Sequence, residues 1–492
     1  MARLTVRLED RLGTISPMLY GHFAEHLGRC IDEGFWVGDN CEIPHTRGIR
    51  NDTVAALRKL RAPVIRWPGG CFADDYHWRD GIGPRDSRPR RLNLWWHAEE
   101  PNQFGTHEFI DLCRRTGAEP YICLNVGSGT PEEAAAWVEY CNCAGNTTRA
   151  AERAVHGHPE PFAVRYWGVG NENWGCGGRF YPDDYAREYR RFACYLRGRS
   201  SSPIELIACG HTTPDWNRKF LETVGDLRMV DHLSVHRYYN CGHAVEFSDT
   251  EYYNLFPRAL QVEADILDAA AALAVYNKTG RKIGIIVDEW GVWHPEARGD
   301  SGLYQRNTLR DALIAAAVFD VFNRHADKVT MANIAQTINV LQCVAQTEGG
   351  TMWLTPTYHA FDLYKDHMGN AALRLDVADA PTVEARTGDG KAVQQPVLSA
   401  SASLGADGKS VVLTVQNLHL TAECDCQVRL QGGKAGKVAA RILTAKDVRD
   451  HNGPEAPNKV RPKRFELTAK GSMLRATLPP HSLVSARIGL SS

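Results

Sequence analysis

Short apolar runs recur along the first 370 residues of the chain and predict eight β-strands. The run at 283–287 is built only of Ile, Val and Gly. Continuous apolar runs of this length are typical of strands buried on both faces of a parallel sheet. The predicted strands are residues 18–23, 64–67, 120–124, 164–169, 204–208, 232–236, 283–287 and 331–340. Eight is the strand number of a (β/α)8 barrel.

Segments with helical spacing separate these strands. They are residues 51–60, 108–115, 183–197, 260–275 and 306–325. Alternating strands and helices predict an α/β protein with a closed parallel sheet, a (β/α)8 TIM barrel. The alternative is an open doubly wound sheet, which carries G-x-G-x-x-G after its first strand. No such motif follows the first strand here, and GVGNENWG has Asn173 in place of the third glycine.

The pattern changes after about residue 370, where short alternating runs such as SVVLTVQNLHL and CQVRLQG replace the helical spacing. This alternation predicts an all-β sandwich, jelly-roll-like in type. Residues 3–11 alternate in the same way, with Leu4, Val6 and Leu8 on one face. We therefore predict an N-terminal strand within 1–14 that joins the sandwich, a catalytic barrel at 15–369 and a sandwich domain at 370–492.

Charge narrows the class of partner. The 492 residues contain 57 Lys and Arg and 58 Asp and Glu, so no strong field favours nucleic acid or an anionic membrane. The start, MARLTVRLED, has no apolar core typical of a signal peptide, and no stretch is long and apolar enough to span a bilayer. The 14 Cys show no disulfide-like framework. We expect reduced thiols, a cytoplasmic location and a neutral partner.

Two carboxylates carry the chemistry. Glu172 and Glu289 lie 117 positions apart (289 − 172), each at the end of a predicted strand and each beside Trp, Asn or Asp. Catalytic groups of a barrel come from the C-terminal ends of several strands, so the two acids can meet at one substrate. Paired carboxylates are the machinery of glycoside hydrolysis. Asn171 can bind a sugar hydroxyl, while Tyr238 and Arg66 can keep Glu289 ionised.

One motif at the same rim suggests different chemistry. HFAEH, residues 22–26, matches the H-x-x-E-H signature in which two His on one helix bind zinc. Here the motif follows an apolar strand and precedes Gly28, which disfavours the helix that the zinc site needs. We therefore predict no metal site, with loss of bound zinc in His22→Ala as the discriminating observation.

Several motifs resemble those of the α-L-arabinofuranosidases of glycoside hydrolase family 51, in matching order along almost the whole chain. They are YGHFAEHLGRCI, VIRWPGGCFADDYHWRDGIGPR, WGVGNENWGCGG, IIVDEWGVW and NVLQ. The resemblance implies a barrel with a β-sandwich, a general acid/base at Glu172 and a nucleophile at Glu289. It also implies a retaining exo-acting enzyme, without metal or cofactor, that releases terminal α-L-arabinofuranosyl residues from arabinan, arabinoxylan or oligosaccharides.

The same resemblance assigns the sugar-binding residues and the assembly. Positions that match those holding the arabinofuranose ring are Glu25, Cys71, Asn171, Tyr238 and Gln342, and Trp293 and Trp96 offer aromatic surface. Cys71 follows Pro68, Gly69 and Gly70 at a strand end, so we expect its thiol to contact the ring. Family members are generally cytoplasmic homo-oligomers, often hexamers.

Two other readings stay open at this point. One is a sugar-binding protein without catalysis, which the presence of both carboxylates disfavours and which turnover of an aryl furanoside would exclude. The other is a related retaining barrel glycosidase of different sugar specificity, such as a β-xylosidase or an endoglucanase. A panel of aryl glycosides discriminates between these hydrolases.

Overall fold

A computed structural model describes residues 1–491 and contains a closed barrel of eight parallel strands. The barrel strands are β2 (Gly21–Phe23), β3 (Val64–Trp67), β4 (Glu119–Leu124), β5 (Tyr166–Val169), β6 (Glu205–Ala208), β7 (His232–Tyr239), β8 (Gly284–Val292) and β9 (Val329–Ile334). Each strand pairs with the next along the chain, and β9 pairs with β2 to close the barrel. The predicted (β/α)8 barrel is confirmed.

Four strand boundaries differ from the prediction and matter for the site. Residues 17–20 form a 3-10 helix, begun by Pro17 and capped by the Ser16 hydroxyl, so β2 starts only at Gly21. Strands β7 and β8 continue further than predicted, to Tyr239 and Val292. Strand β9 ends at Ile334 instead of extending to residue 340. The chain therefore turns into the barrel mouth six residues early at this strand.

Ten α-helices surround the barrel. They are α1 (Asn51–Leu60), α2 (Thr106–Thr116), α3 (Pro131–Asn142), α4 (Thr148–Val155), α5 (Pro182–Leu196), α6 (Pro214–Val224), α7 (Asp249–Leu260), α8 (Val262–Tyr276), α9 (Leu309–Arg324) and α10 (Pro356–Tyr364). Proline begins α3, α5, α6 and α10, where its missing N–H has no cost. No helix among the described residues is both long and apolar enough to cross a membrane.

The C-terminal region forms one antiparallel-rich sheet of ten strands that folds back on itself. Its strands are β1 (Ala2–Thr14), β10 (Ala371–Ala378), β13 (Leu398–Leu404), β14 (Ser410–Asn417), β15 (Cys424–Gln431), β16 (Lys434–Leu443), β17 (Lys463–Phe465), β18 (Thr468–Lys470), β19 (Met473–Leu478) and β20 (Ser482–Ser491). Contacts of β16 with β18 and β19, from the other end of the sheet, close a sandwich-like core. A separate hairpin, β11 (Thr382–Arg386) and β12 (Ala392–Pro396), projects from it.

Strand β1 lies inside this sheet, antiparallel to β10 and parallel to β15. Its inward residues Leu4 and Val6 are buried in the core of the sheet domain. A hydrogen-bonded cluster joins the two domains: Asp320 on α9 accepts from Tyr364 on α10 at 2.7 Å and from Ser401 on β13 at 2.6 Å. The sheet is thereby packed on the barrel helices α9 and α10.

Candidate active site

Glu172 and Glu289 meet at the C-terminal mouth of the barrel. Glu172 lies three residues after β5, whereas Glu289 lies within β8. Carboxylate oxygens of the two residues come within 4.8 Å of each other. Retaining glycosidases place their acids about 5 to 5.5 Å apart and inverting ones about 6.5 to 9.5 Å apart. The separation therefore fits a direct attack by one carboxylate on the sugar.

The turn after β5 holds Glu172 in a sparsely populated backbone conformation. Gly170 has a φ of 87° and Glu172 a φ of 41°, which for a residue with a side chain is unfavourable unless the surroundings enforce it. Here the Glu172 carbonyl accepts from the N–H of Gly175 at 2.6 Å and of Gly177 at 3.2 Å. Its side chain is 18% exposed and points to the mouth.

Glu289 receives two strong donors, one on each oxygen. Arg66 Nη1 lies 2.7 Å from Oε1, and the Tyr238 hydroxyl donates to Oε2 at 2.7 Å. Both donors favour the ionised carboxylate. The predicted approach of Tyr238 and Arg66 to Glu289 is present in the structure.

Arg66 is itself buried and ties the site together. Its side chain is 1% exposed, its Nη2 donates to Asn171 Oδ1 at 2.5 Å, and its guanidinium carbon lies 4.5 Å from the centre of the Phe23 ring. Burial alone would lower the pKa of Arg66, but the nearby Cys123, Asp288 and Glu289 outweigh burial and raise the pKa well above its usual value. The residue is a fixed cation at the centre of the mouth.

His236 is a residue of the site that the sequence did not single out. Its Nδ1 lies 2.9 Å from Glu172 Oε1 and 3.6 Å from Glu289 Oε2, and its Nε2 lies 3.0 Å from Asp288 Oδ1. Burial alone would lower the pKa of His236, but the charges of Glu289 and Asp288 and hydrogen bonds to Asp288 and Glu172 raise it to about 10. The imidazolium therefore connects the two candidate acids, Glu172 and Glu289.

Asp288 supports this arrangement from below. It also accepts from the Tyr121 hydroxyl at 2.8 Å and lies 3.5 Å from Arg66 Nε. Burial acts to raise the pKa of Asp288, but Arg66 and His236 outweigh it and lower the pKa. Asp288 therefore stays ionised and orients the His236 ring.

Glu25 lies near Glu289 in the same mouth, with Gly70 between the two carboxylates. Its carboxylate accepts from the Phe72 N–H at 3.0 Å, from Trp96 Nε1 at 3.2 Å and from Gln336 Nε2 at 3.0 Å. Burial, and next the charge of Glu289, raise the pKa of Glu25 to about 7. Glu25 can therefore either donate or accept a hydrogen bond near neutral pH.

The structure does not bring Gln342 to this cavity. Gln342 is fully buried, its Oε1 accepts from the Val292 N–H at 2.9 Å, and its Nε2 donates to the Asp311 carbonyl at 2.8 Å. Its amide is thus used in joining loops behind the site. Gln336, two residues after β9, is the glutamine that donates to Glu25.

Asn171 is positioned by a buried aspartate. Its N–H donates to Asp74 Oδ2 at 2.8 Å, and Asp74 Oδ1 also accepts from the Val126 N–H at 2.7 Å. Burial raises the pKa of Asp74 to about 7, against the effect of these backbone donors. Asp74 thereby fixes the turn that carries both Asn171 and Glu172.

The expectation of reduced thiols is wrong for two of the cysteines. Cys71 and Cys176 form a disulfide, which joins the segment after β3 to the turn after β5. Cys176 Sγ lies 3.7 Å from Glu172 Oε2, so the bond borders the acid/base candidate. In this state Cys71 can meet a sugar only as a disulfide sulfur, and not as the thiol that we expected.

The aromatic residues lie on the rim. The Trp293 ring packs edge-on against Tyr238 at 5.2 Å between ring centres, and the half-buried Trp96 contacts Glu25. Trp174, which the sequence analysis did not select, packs against His211 at 4.3 Å. The floor between the acids is glycine: a Cβ on Gly70 would lie 3.0 Å from Glu289 Oε1 and 3.3 Å from Glu25 Oε2.

The HFAEH motif does not have the geometry of a zinc site. His22 is buried in β2 against Phe361, whereas His26 contacts Glu100 at 2.9 Å from a turn, so HFAEH does not form the helix that the zinc signature requires. His236, Glu172 and Glu289 lie close enough to share an ion. However, both nitrogens of His236 already face carboxylates, and a protonated imidazole cannot bind a metal.

Comparisons with known proteins agree along the whole chain. Residues 56–255 match the model of the alpha-L-arabinofuranosidase 1 domain, and residues 288–482 match that of the alpha-L-arabinofuranosidase C-terminal domain. An intracellular exo-alpha-L-arabinofuranosidase of Bacteroides ovatus is 40% identical over 99% of this chain and 95% of its own.

Solved structures give the same result. A GH51 arabinofuranosidase from Xanthomonas axonopodis pv. citri superposes with a TM-score of 0.93 at 38% identity over 99% of each chain. An alpha-L-arabinofuranosidase from Thermotoga maritima, in complex with arabinose, gives 0.90 at 34% identity over 100% of each chain.

A parallel barrel that brings two acids together at its mouth, one after β5 and one within β8, is the arrangement of a glycoside hydrolase. The chain belongs to the α-L-arabinofuranosidases of glycoside hydrolase family 51, a family of enzymes that hydrolyse arabinofuranosyl residues.

The disulfide generates the first prediction. Cys71→Ser and Cys176→Ser each open the same bond and release the turn of Glu172, so both should lower kcat/KM by the same factor, between about 10- and 100-fold for a displaced catalytic group. The double variant should be no worse than either single one, because only one bond is lost. Initial rates on an aryl arabinofuranoside measure this.

Cys424→Ser, in strand β15 of the sheet domain, is the matched control and should keep wild-type kinetics. Impairment of Cys71→Ser alone would contradict the bridge and would support direct contact of the Cys71 thiol with the sugar.

The raised pKa of His236 generates a second prediction. A His with a pKa of about 10 in the folded state and about 6.5 in the unfolded chain contributes stability that is complete below pH 6.5 and is lost as the pH rises towards 10. His236→Gln removes this contribution. The urea midpoints of wild type and variant should therefore differ most near pH 6 and converge near pH 10.

His359→Gln is the control, because burial lowers the pKa of His359 to about 4 and this residue is neutral throughout that range. A difference between wild type and His236→Gln that stays constant from pH 6 to pH 10 would show that His236 is not charged in the folded protein.

Proposed function

We propose that the protein is a retaining, exo-acting α-L-arabinofuranosidase that releases terminal α-L-arabinofuranosyl residues from arabinan, arabinoxylan or oligosaccharides by double displacement. The observation that carries the mechanism is the approach of Glu172 and Glu289 within 4.8 Å. That separation leaves no room for the water that an inverting enzyme places between its acids. The family membership supports the sugar.

In the proposed mechanism Glu289 is the nucleophile. Arg66 and Tyr238 donate to its two oxygens at 2.7 Å, which holds the carboxylate in place for attack on the anomeric carbon. Its attack forms a covalent glycosyl-enzyme while the aglycone departs. Tyr238 can then shift its hydrogen bond as the carboxylate charge is lost in the ester.

Glu172 is the proposed acid/base. It protonates the departing oxygen in the first step and takes a proton from water in the second. His236 lies 2.9 Å from Glu172 and 3.6 Å from Glu289, so its charge interacts with both carboxyl groups. Since the charge of Glu289 disappears in the covalent intermediate, the electrostatic balance at His236 and Glu172 changes between the two steps, which favours the change of role.

Sugar binding is assigned to the residues that surround these acids. The proposed sugar-binding residues include Glu25, Asn171, Trp293 and Trp96. Gln336 replaces Gln342 in this set, because the Gln342 amide is buried and bonded to loops behind the site. Glu25 can donate to a ring hydroxyl in its protonated form. We also propose that the enzyme acts in the cytoplasm as a homo-oligomer, a hexamer by its resemblance to the family; an intracellular relative supports the location, and light scattering tests the assembly.

A panel of four aryl glycosides tests the sugar specificity. The α-L-arabinofuranoside should be hydrolysed with a kcat/KM at least about 10²-fold above that of the β-D-xyloside, β-D-galactofuranoside and α-L-arabinopyranoside, because buried polar groups reject a sugar that leaves them unpaired. Preference for the β-D-xyloside would favour the β-xylosidase alternative, and activity only on internal linkages would favour an endoglucanase.

The leaving group tests the role of Glu172. With a dinitrophenyl arabinofuranoside, Glu172→Ala should form the covalent intermediate readily and then stall, since no base activates water. With a sugar as leaving group, the first step should itself fall by about 10²- to 10⁴-fold. Mass spectrometry of the quenched enzyme detects the intermediate.

Glu289→Ala provides the contrast, because it should form no intermediate on either substrate, and azide should restore turnover as a glycosyl azide of inverted configuration. Equal slowing of both substrates by Glu172→Ala, without an intermediate, would reduce Glu172 to sugar positioning.

A further inference from the structure

A groove of about 860 Å³ leads away from the catalytic mouth. Its volume is within the range of about 300 to 1,000 Å³ that is typical of ligand clefts. One wall is the barrel rim, one is the junction of α7 and α8, and the third is the tip of the β11–β12 hairpin, residues 387–391. The barrel and the sheet domain thus both contribute to it. None of the roles assigned above uses this groove beyond its first two residues.

The groove starts at the catalytic centre. Tyr238, whose hydroxyl donates to Glu289, and Trp293, whose ring packs against Tyr238, both line its inner end. Thr212 lines it as well, next to His211, which contacts Trp174 two residues after Glu172. A bond cleaved at Glu289 with a proton from Glu172 therefore leaves its aglycone beside this opening.

The lining is polar but carries no net charge. Three cations, Arg237, Arg258 and Lys391, face three anions, Asp265, Asp268 and Asp389. Arg237 donates from Nε and Nη2 to the two carboxylate oxygens of Asp265, each at 2.6 Å, and Arg258 donates to the Asn240 carbonyl at 3.0 Å. Balanced charges with many hydrogen-bonding groups suit a neutral polyhydroxyl ligand better than an anion or a nucleic acid.

The hairpin wall is held in place by the barrel. The Arg386 N–H donates to Asn254 Oδ1 of α7 at 2.7 Å. At the tip, the Thr387 N–H donates to the Lys391 carbonyl at 3.0 Å. The wall is therefore a fixed part of the groove, and its exposed residues Asp389 and Lys391 present side chains at the outer end.

We propose that this groove binds the neutral oligosaccharide chain of the aglycone, and that the 387–391 tip contributes to the choice between chain and simple glycoside substrates. The proposal rests on the proposed function, because it supplies the binding site for the part of the substrate beyond the cleaved bond. The second and later sugars of the substrate should therefore make their contacts with the enzyme, and gain their binding energy, in this groove.

A blocking variant tests the groove without touching the catalytic residues. Gly388 lines the groove, its φ is not in the left-handed region, and a Cβ built on it meets no atom within 4 Å. Gly388→Phe should therefore fill the groove without straining the backbone. For linear α-1,5-linked arabinotetraose, kcat/KM should fall at least about tenfold, the loss of roughly 1.4 kcal/mol of binding energy. For an aryl arabinofuranoside it should stay within twofold of wild type.

Gly198→Phe is the matched control, since Gly198 lies in the exposed segment after α5 and its Cβ also meets no atom within 4 Å. This variant should behave as wild type on both substrates. Lys391→Ala should lower kcat/KM for arabinotetraose alone, and by a smaller factor than Gly388→Phe.

Three outcomes overturn the groove proposal. The first is unchanged arabinotetraose kinetics in Gly388→Phe, and the second is an equal loss of kcat/KM on both substrates. The third is a change in oligomeric state, measured by light scattering, without a change in arabinotetraose kinetics. That third result would make the groove an interface between copies of this chain. Failure of the wild type on the aryl arabinofuranoside would instead overturn the proposed function.

Discussion

The buried guanidinium of Arg66 is the interaction on which the active site depends. Five carboxyl groups, those of Glu25, Asp74, Glu172, Asp288 and Glu289, gather at one end of the barrel. Burying charges of one sign is costly unless opposite charges and hydrogen bonds compensate. Arg66 contacts Glu289, Asn171 and Asp288 at once. Because it sits in strand β3 with a Phe ring beneath it, its position is set by the barrel core and not by a mobile loop.

Around this cation the acids are divided by their surroundings. Asp288 and Glu289 face strong donors, which favour the ionised form. Glu25 has only neutral donors and the charge of Glu289 nearby, so its pKa rises to about 7. The protonated form of Glu25 reduces repulsion at Glu289 and offers a donor to a sugar hydroxyl. His236 adds a second cation between Glu172 and Asp288. One cluster thus holds carboxyl groups suited to different tasks.

The sequence predicted what depends on local pattern. Apolar runs located the barrel strands, and the polar residues after them located Glu172, Glu289 and Glu25. The Gln336 position was missed because Ile338 and Val340 continue a strand-like alternation past Ile334, so the predicted strand was too long and the first glutamine after its apparent end was Gln342. In the structure a turn at Ala335 brings Gln336 to Glu25. Periodicity carries no signal for such a turn where the alternation of apolar and polar residues continues through it.

Other features depend on the closure of the barrel and are invisible in a linear pattern. Cys71 and Cys176 are 105 residues apart, and only the adjacency of strands β3, β4 and β5 places them together. In the sequence, His236 is one of several polar residues at the end of a strand. Only the fold brings its two nitrogens to Glu172 and Asp288. The groove beside the 387–391 tip requires a hairpin from one domain to pack on a helix of the other.

The pairing of strand β1 has a consequence for the synthesis of the chain. β1 is made before the other strands of its sheet, yet it lies between β10 and β15, and the earlier of these begins at Ala371. At about 5 to 20 residues per second, the ribosome needs roughly 20 to 70 s to deliver that partner. For this time the apolar face of Leu4, Val6 and Leu8 has no sheet to join, while the barrel can already be closing behind it. Strand β1 therefore stays unpaired until β10 and β15 have been made, and residues 370–492 cannot complete the sheet domain without β1.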